Sequence, residues 1–229
     1  MVHHHGTSHE NAPGHAGVDV AGRDGVLSSI SAALADQVRH STLATTRAYR
    51  VSGDLDTEQR RELLKDRLVD YRAHVVECQR EALGAVINDL LVAHGSTSLA
   101  VPSDLPADWL DRSHVTVHVD EPHLSVADLD AIDSTISGCA VAMAQTGTIV
   151  LDSGARQGRR ALSLVPDHLI VVIFDDQIVE VVPEGIARLD PTSTQTWISG
   201  PSATSDIELE RIEGVHGPRT LDVILVTSL

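Results

Sequence analysis

Toward the end of this 229-residue chain, ionisable and hydroxylated side chains gather around two Gly-Pro corners. The first corner reads Gly200-Pro201-Ser202-Ala203-Thr204-Ser205-Asp206, and the second reads Val215-His216-Gly217-Pro218-Arg219. Gly and Pro serve the backbone of a turn. Ser202, Thr204, Asp206, His216 and Arg219 do not, and polar groups crowded onto loops between buried strands mark a site on a rigid scaffold. An imidazole held at such a corner suits acid–base work or carboxylate binding. His216 and Asp206 are therefore the candidate catalytic pair, with Gly200, Ser202, Thr204 and Arg219 as candidate ligand contacts. Ser202, His216 and Asp206 can also be written as a nucleophilic triad, but no nucleophile-elbow sequence surrounds Ser202. A helix cap at Thr204 or Ser205, with Asp206 in the first turn, is the structural alternative. No second His or Cys stands at ligand spacing beside His216, so no metal site is expected.

Two further loops could carry chemistry. Asp152-Ser-Gly-Ala-Arg-Gln-Gly-Arg-Arg160 places Arg156, Arg159 and Arg160 within five positions of an otherwise acidic chain. Its amides could form an anion-binding nest, and an Arg fork fits carboxylate or phosphate. It matches neither the P-loop nor the dinucleotide fingerprint, and a solvated turn pairing with nearby acids explains it equally well. In Gln145-Thr146-Gly147-Thr148 the glycine could let a ligand touch backbone while the threonine hydroxyls orient it. A plain tight turn is the competing reading.

The elements that must position these loops are legible from periodicity. Residues 1–22 are rich in His and Gly and carry almost no large apolar residues, which predicts a disordered tail. Apolar positions from Asp24 to about His40 repeat at helical spacing. A second helix, or two helices broken near Gly84, is predicted from about Thr57 to His94 and ended by Gly95, so that 23–95 reads as a helical segment. Beyond it, 96–229 reads as an α/β domain, with 23–229 forming one structural unit. Strands are expected at Leu99–Val101, Val115–Val119, His168–Phe174 and Leu221–Val226. A hairpin is expected around Gln145–Gly147, with short helices at Val126–Ile132, Leu162–Val165 and Pro183–Leu189. The run His168–Phe174, nearly all apolar, is the pattern of a strand buried on both faces.

Composition narrows the classes. Apolar residues make up 42% but aromatics only 2%, so the core must be built from Val, Leu, Ile and Ala. A net charge of −16 excludes the basic surface that nucleic acids and anionic membranes require. Two cysteines, Cys78 and Cys139, cannot supply four thiolates to an iron–sulfur cluster, and both are expected to be inert. No apolar run reaches spanning length and no secretory leader is visible, which reads as cytoplasmic.

Four motifs in order resemble the LUD domain of LutC-type lactate-utilization proteins. They are Ala144-Gln-Thr-Gly-Thr-Ile-Val-Leu151, Leu162-Ser-Leu-Val-Pro-Asp-His-Leu-Ile-Val-Val172, Ile198-Ser-Gly-Pro-Ser-Ala-Thr-Ser-Asp-Ile-Glu208 and Gly214-Val-His-Gly-Pro-Arg219. The resemblance implies a three-layer α/β domain of the NagB/RpiA/CoA-transferase-like group with N-terminal helices. It also implies an accessory subunit in oxidation of L-lactate to pyruvate, beside iron–sulfur partner proteins that carry the clusters. This chain itself would bind no cofactor, and would hold a small carboxylate or other anion. Gln145 stands where relatives often carry Glu, and Ala203 where they often carry Arg or Lys. The alternative is a free-standing enzyme, CoA-transferase-like or sugar-phosphate-isomerase-like, using His216 and Asp206 as acid–base.

Overall fold

The computed structural model describes residues 20–35, 48–204, 212–213 and 217–227. The chain divides into two compact units, Met1–Ala48 and Tyr49–Leu229. In the first, helix α1 spans Val20–Ala35; it begins four residues before the expected Asp24, and the rest of that predicted helix and most of the predicted tail lie outside the described residues.

The second unit is α/β, as its alternating elements predict. Helix α2 (Thr57–Asp70) opens on a capping box in which Asp56 accepts from the Gln59 amide and Gln59 reaches back to Asp56. Strand β1 (His74–Gln79) follows, then helix α3 (Leu83–His94), strands β2 (Ser98–Val101) and β3 (Thr116–Val119), and helix α4 (Val126–Asp130). Next come β4 (Ser134–Ser137), β5 (Val141–Met143), β6 (Thr148–Leu151), β7 (His168–Phe174), β8 (Ile178–Val179) and helix α5 (Val182–Arg188). Strands β9 (Thr196–Ile198), β10 (Ala203–Thr204), β11 (Ile212–Glu213) and β12 (Thr220–Thr227) complete the order.

Six strands form one all-parallel sheet in the order β1-β12-β7-β4-β2-β3. Alternation along the strands assigns each face. Ile170 and Val172 of β7, with Ile224 and Val226 of β12, face α3 through Leu83, Ile87, Leu90 and Leu91. Leu169, Val171 and Ile173, with Leu221, Val223 and Leu225, face the other way onto Leu64 and Leu68 of α2 and onto Ala142, Ile149 and Leu151. Those last residues belong to a second sheet in the order β8-β5-β6-β9. Its far side carries Val141, Met143, Val150 and Val179 beneath α5. The layers are thus α3, the parallel sheet, then α2 with the small sheet. Both faces of the large sheet are apolar, as a buried parallel sheet requires. Among the described residues no helix is long and apolar enough to cross a membrane.

One element departs from expectation. The helical stretch expected over 57–94 breaks well before Gly84 and holds an edge strand between its two helices, and β1 pairs with β12 from His74↔Asp222 to Gln79↔Thr227. The segment read as purely helical therefore contributes a strand to the central sheet. The physical reason is the end of α2. Arg72 takes a left-handed φ of 67°, its amide donates to the Val69 carbonyl, and the Ala73 amide donates to Leu68. This is a Schellman stop made without glycine, so no residue announces it.

Candidate functional site

The connections of the parallel sheet set where its crevice opens. After β2 the chain crosses the α3 face, where Trp109 is buried, and reaches β3. After β4 it enters the small sheet on the opposite face before returning as β7. Connections that leave neighbouring strands toward opposite faces open a crevice beyond the strands' C-terminal ends, the usual ligand position in such sheets.

The arginine loop lies over this crevice. Gly138, just past β4, donates its amide to the Arg156 carbonyl at 2.8 Å, and the Arg156 amide donates to Asp104 Oδ2 at 2.7 Å. Arg156 is thereby tied across the ends of β4 and β2 in a left-handed conformation, φ 64°. The loop's amides do not form the open nest that its sequence suggests. Asp152 donates to Gln157 Oε1, Gly154 to Asp152 Oδ1, and Gln157 to the Gly154 carbonyl. What the loop presents is the Arg156 side chain, whose guanidinium lies 5.6 Å from the Phe174 ring centroid at the end of β7. Arg80, just beyond β1, stands over the same ring at 5.6 Å. A hollow of about 170 Å³ is lined by Arg80, Arg156, Phe174, Asp176 and Gln177.

Arg159 has a different task. Its Nε and Nη2 donate to the two oxygens of buried Asp120 at 2.6 and 3.0 Å, and Nη2 also donates to the Leu124 carbonyl. The side-chain hydrogen bonds that Arg159 donates to Asp120 raise the Arg159 pKa above its ordinary value. Burial pushes Asp120 up, but the Arg159 bond and the Leu124 amide outweigh it and hold the carboxyl below its usual range. Arg159 therefore fastens the end of β3 instead of facing a ligand.

The remaining candidate residues that the structure describes lie at the opposite, N-terminal end of the parallel strands. Gly147, at φ 60°, is packed against the backbone of Arg67 in α2, and Gly200, at φ 117°, against the Tyr71 carbonyl. The close approach these glycines permit is to the end of a helix. Thr148 Oγ1 donates to Thr146 Oγ1 at 2.8 Å and lies 2.9 Å from Ser199 Oγ, while Gln145 and Thr146 line an open hollow with Arg67, Asp70 and Tyr71. The two Gly-Pro corners do meet. Ser202 donates its amide to the Pro218 carbonyl at 2.8 Å, and a hollow of about 270 Å³ lies between them, lined in part by Gly200, Ser202 and Gly217. Arg219 is exposed and pairs with Asp167 at 3.3 Å. Thr204 is described only as backbone, paired with Ile212, while Asp206 and His216 lie outside the described residues. Among the described candidate residues, Arg156 and Arg159 thus lie at the C-terminal end of the sheet, and the others at the opposite end.

Sequence reasoning missed a buried polar chain at that N-terminal end. His168, fully buried at the start of β7, has Nε2 2.9 Å from Asp222 Oδ2 and Nδ1 2.8 Å from Ser134 Oγ. Ser96 Oγ lies 2.5 Å from Ser134 Oγ, and His74 Nδ1 lies 3.0 Å from Asp222 Oδ1. A neutral ring satisfies this pattern by donating from Nε2 to the carboxylate and accepting the Ser134 proton at Nδ1. His94 stacks on His168 with ring centroids 4.0 Å apart, and burial followed by the neighbouring His168 lowers its pKa. Ser134 is itself fully buried, so the Ser–His–Asp order holds strands together and exposes no nucleophile. The available signal was positional: a His and an Asp each near the start of an otherwise apolar strand. Both cysteine thiols are pushed up by burial, Cys139 far more than half-buried Cys78, which leaves neither reactive.

A layered α/β domain with its crevice at the switch between β2 and β4 defines the class, and the family follows from comparison. The LUD domain model matches residues 61–226, and the chain belongs to that family. It is 45% identical over 182 residues to "Lactate utilization protein C" of Deinococcus radiodurans, covering 78% of this chain and 84% of that one. The protein of the same name from Geobacillus kaustophilus is 28% identical over 174 residues, covering 67% and 72%. The crystal structure of a DUF162 family protein from Deinococcus radiodurans superposes with a TM-score of 0.65 at 39% identity, covering 76% of this chain and 99% of that one.

Proposed function

We propose that this chain serves lactate utilization as an accessory subunit of a cytoplasmic system that oxidises L-lactate to pyruvate. In this reading iron–sulfur partner proteins carry the electrons, and the chain itself binds a small carboxylate. The carrying observation is 45% identity across most of both chains to a protein named for lactate utilization. The chemistry of the chain supports a division of labour. Two cysteines whose thiols burial holds protonated are poor cluster ligands, so electron transfer falls to other subunits. A ligand-binding role is supported by the C-terminal edge of the parallel sheet, where Arg80 and Arg156 supply cationic groups for a carboxylate.

Partner association is directly testable. A tagged copy isolated from its own lactate-grown cells is expected to bring down proteins with the visible absorbance and iron content of iron–sulfur clusters. Isolation of the chain free of iron, with no partner retained after mild crosslinking, would contradict the subunit assignment.

A further inference from the structure

We infer that Arg80, Arg156 and Asp176 at the C-terminal edge of the parallel sheet form a binding site for a small 2-hydroxy monocarboxylate. The inference deepens the proposed lactate role by placing its ligand, and it rests on that role for the choice of L-lactate as probe.

Three independent observations converge. The first is position: Arg80 follows β1, Arg156 bridges β2 and β4, and Phe174 ends β7, so all three stand at the ligand end of the sheet. The second is backbone conformation. A left-handed φ of 64° at a non-glycine residue costs of order 1 kcal/mol or more and persists only where neighbours impose it. Here the hydrogen bonds to Gly138 and Asp104 impose it. The strain serves to aim one side chain. The third is charge. Among the described residues neither Arg80 nor Arg156 makes a side-chain hydrogen bond or an ion pair, although the chain carries 33 acidic residues against 17 basic ones. Both guanidinium groups are instead held over one aromatic ring, where cation–π attraction orients them without consuming their donors.

The lining selects the ligand class. Two guanidinium groups and the Asp176 carboxylate leave one net positive charge, which matches a monoanion better than a phosphate dianion. The Arg forks suit a carboxylate, and Asp176 accepts a hydrogen bond from a hydroxyl on the next carbon. Gln177 is not free to join them: its Nε2 donates to the Cys139 carbonyl and its Oε1 accepts from the Phe174 amide. A volume of about 170 Å³ holds roughly five waters, room for an acid of a few carbons.

Calorimetric titration of the full chain with L-lactate, propionate and inorganic phosphate tests the site. L-Lactate is expected to bind more tightly than either competitor. Arg80→Gln and Arg156→Gln should each weaken it by about tenfold or more, with unchanged melting temperatures because neither side chain holds the fold by hydrogen bonds. Asp176→Asn should erase the preference over propionate, which lacks the hydroxyl. Tighter binding of phosphate than of L-lactate would overturn the ligand class. Unaltered L-lactate affinity in both arginine variants, or no binding by the parent protein at tens of millimolar, would overturn the site. A cellular role in lactate use could stand after either failure, because growth and partner association are read separately.

Discussion

Replacing Asp222 with Ala will destabilise the Tyr49–Leu229 unit by about 1–3 kcal/mol, the range for leaving a buried polar group without its hydrogen-bond partner. That is a large fraction of the stability of an ordinary domain. Asp222 accepts from His168 on one oxygen and from His74 on the other, and its loss leaves the buried His168 ring without its acceptor. The damage should travel, since His168 also orders Ser134 and, through it, Ser96, linking the starts of β12, β7 and β4. Asp222→Asn should cost less, because the amide oxygen still accepts one bond. The pH dependence follows from the sign of the shift. Burial raises the Asp222 pKa, but the His168 and His74 hydrogen bonds and charges outweigh it, so the folded value lies below 3.8. Its stabilisation is complete above the unfolded value and disappears as pH falls through the folded one. Urea melts of parent and Asp222→Asn should therefore converge on acidification below about pH 4. A gap that stays constant to lower pH would mean that the carboxylate does not hold this end of the sheet.

The second large effect is expected at Gly147. A Cβ there would lie 2.7 Å from the Arg67 Cβ and 3.2 Å from the Arg67 carbonyl carbon, at a φ of 60°. Gly95 offers an internal comparison, since its φ of 73° is similar but nothing lies within 4 Å of its added Cβ. Gly95→Ala should cost about 1 kcal/mol, the conformational penalty alone. Gly147→Ala adds a collision with helix backbone and should cost about 2–3 kcal/mol. Equal costs by chemical denaturation would mean that α2 does not dock on this turn. A fully stable Gly147→Ala protein that had lost a ligand would restore the reading of the turn as a contact site.

Much of the fold is legible because its core strands carry their burial in their composition. His168–Phe174 and Leu221–Val226 are apolar on both faces, and the structure buries both faces. Gly95 announces the end of α3 by residue type, whereas Arg72 ends α2 with the same backbone geometry and no sequence mark. With that stop invisible, Val75, Cys78 and Ala82 fall at helical spacing by coincidence and conceal β1. Of the proposed site, only one residue carries a mark in the sequence. The unusual density of arginine in 152–160 pointed to Arg156, but Arg159 looks identical in sequence and is claimed by Asp120, which lies 39 positions away. Arg80 and Phe174 carried no local signal. Their meeting is a product of strand order, which places the ends of β1, β7, β4 and β2 along one edge.

The most direct test of the central claim is growth on L-lactate as sole carbon source after deleting this chain from a host without another lactate-oxidising enzyme. Loss of growth is predicted, restored by the parent copy and restored poorly by a copy carrying Arg80→Gln and Arg156→Gln. Undiminished growth of the deletion strain would contradict the assignment to lactate utilization.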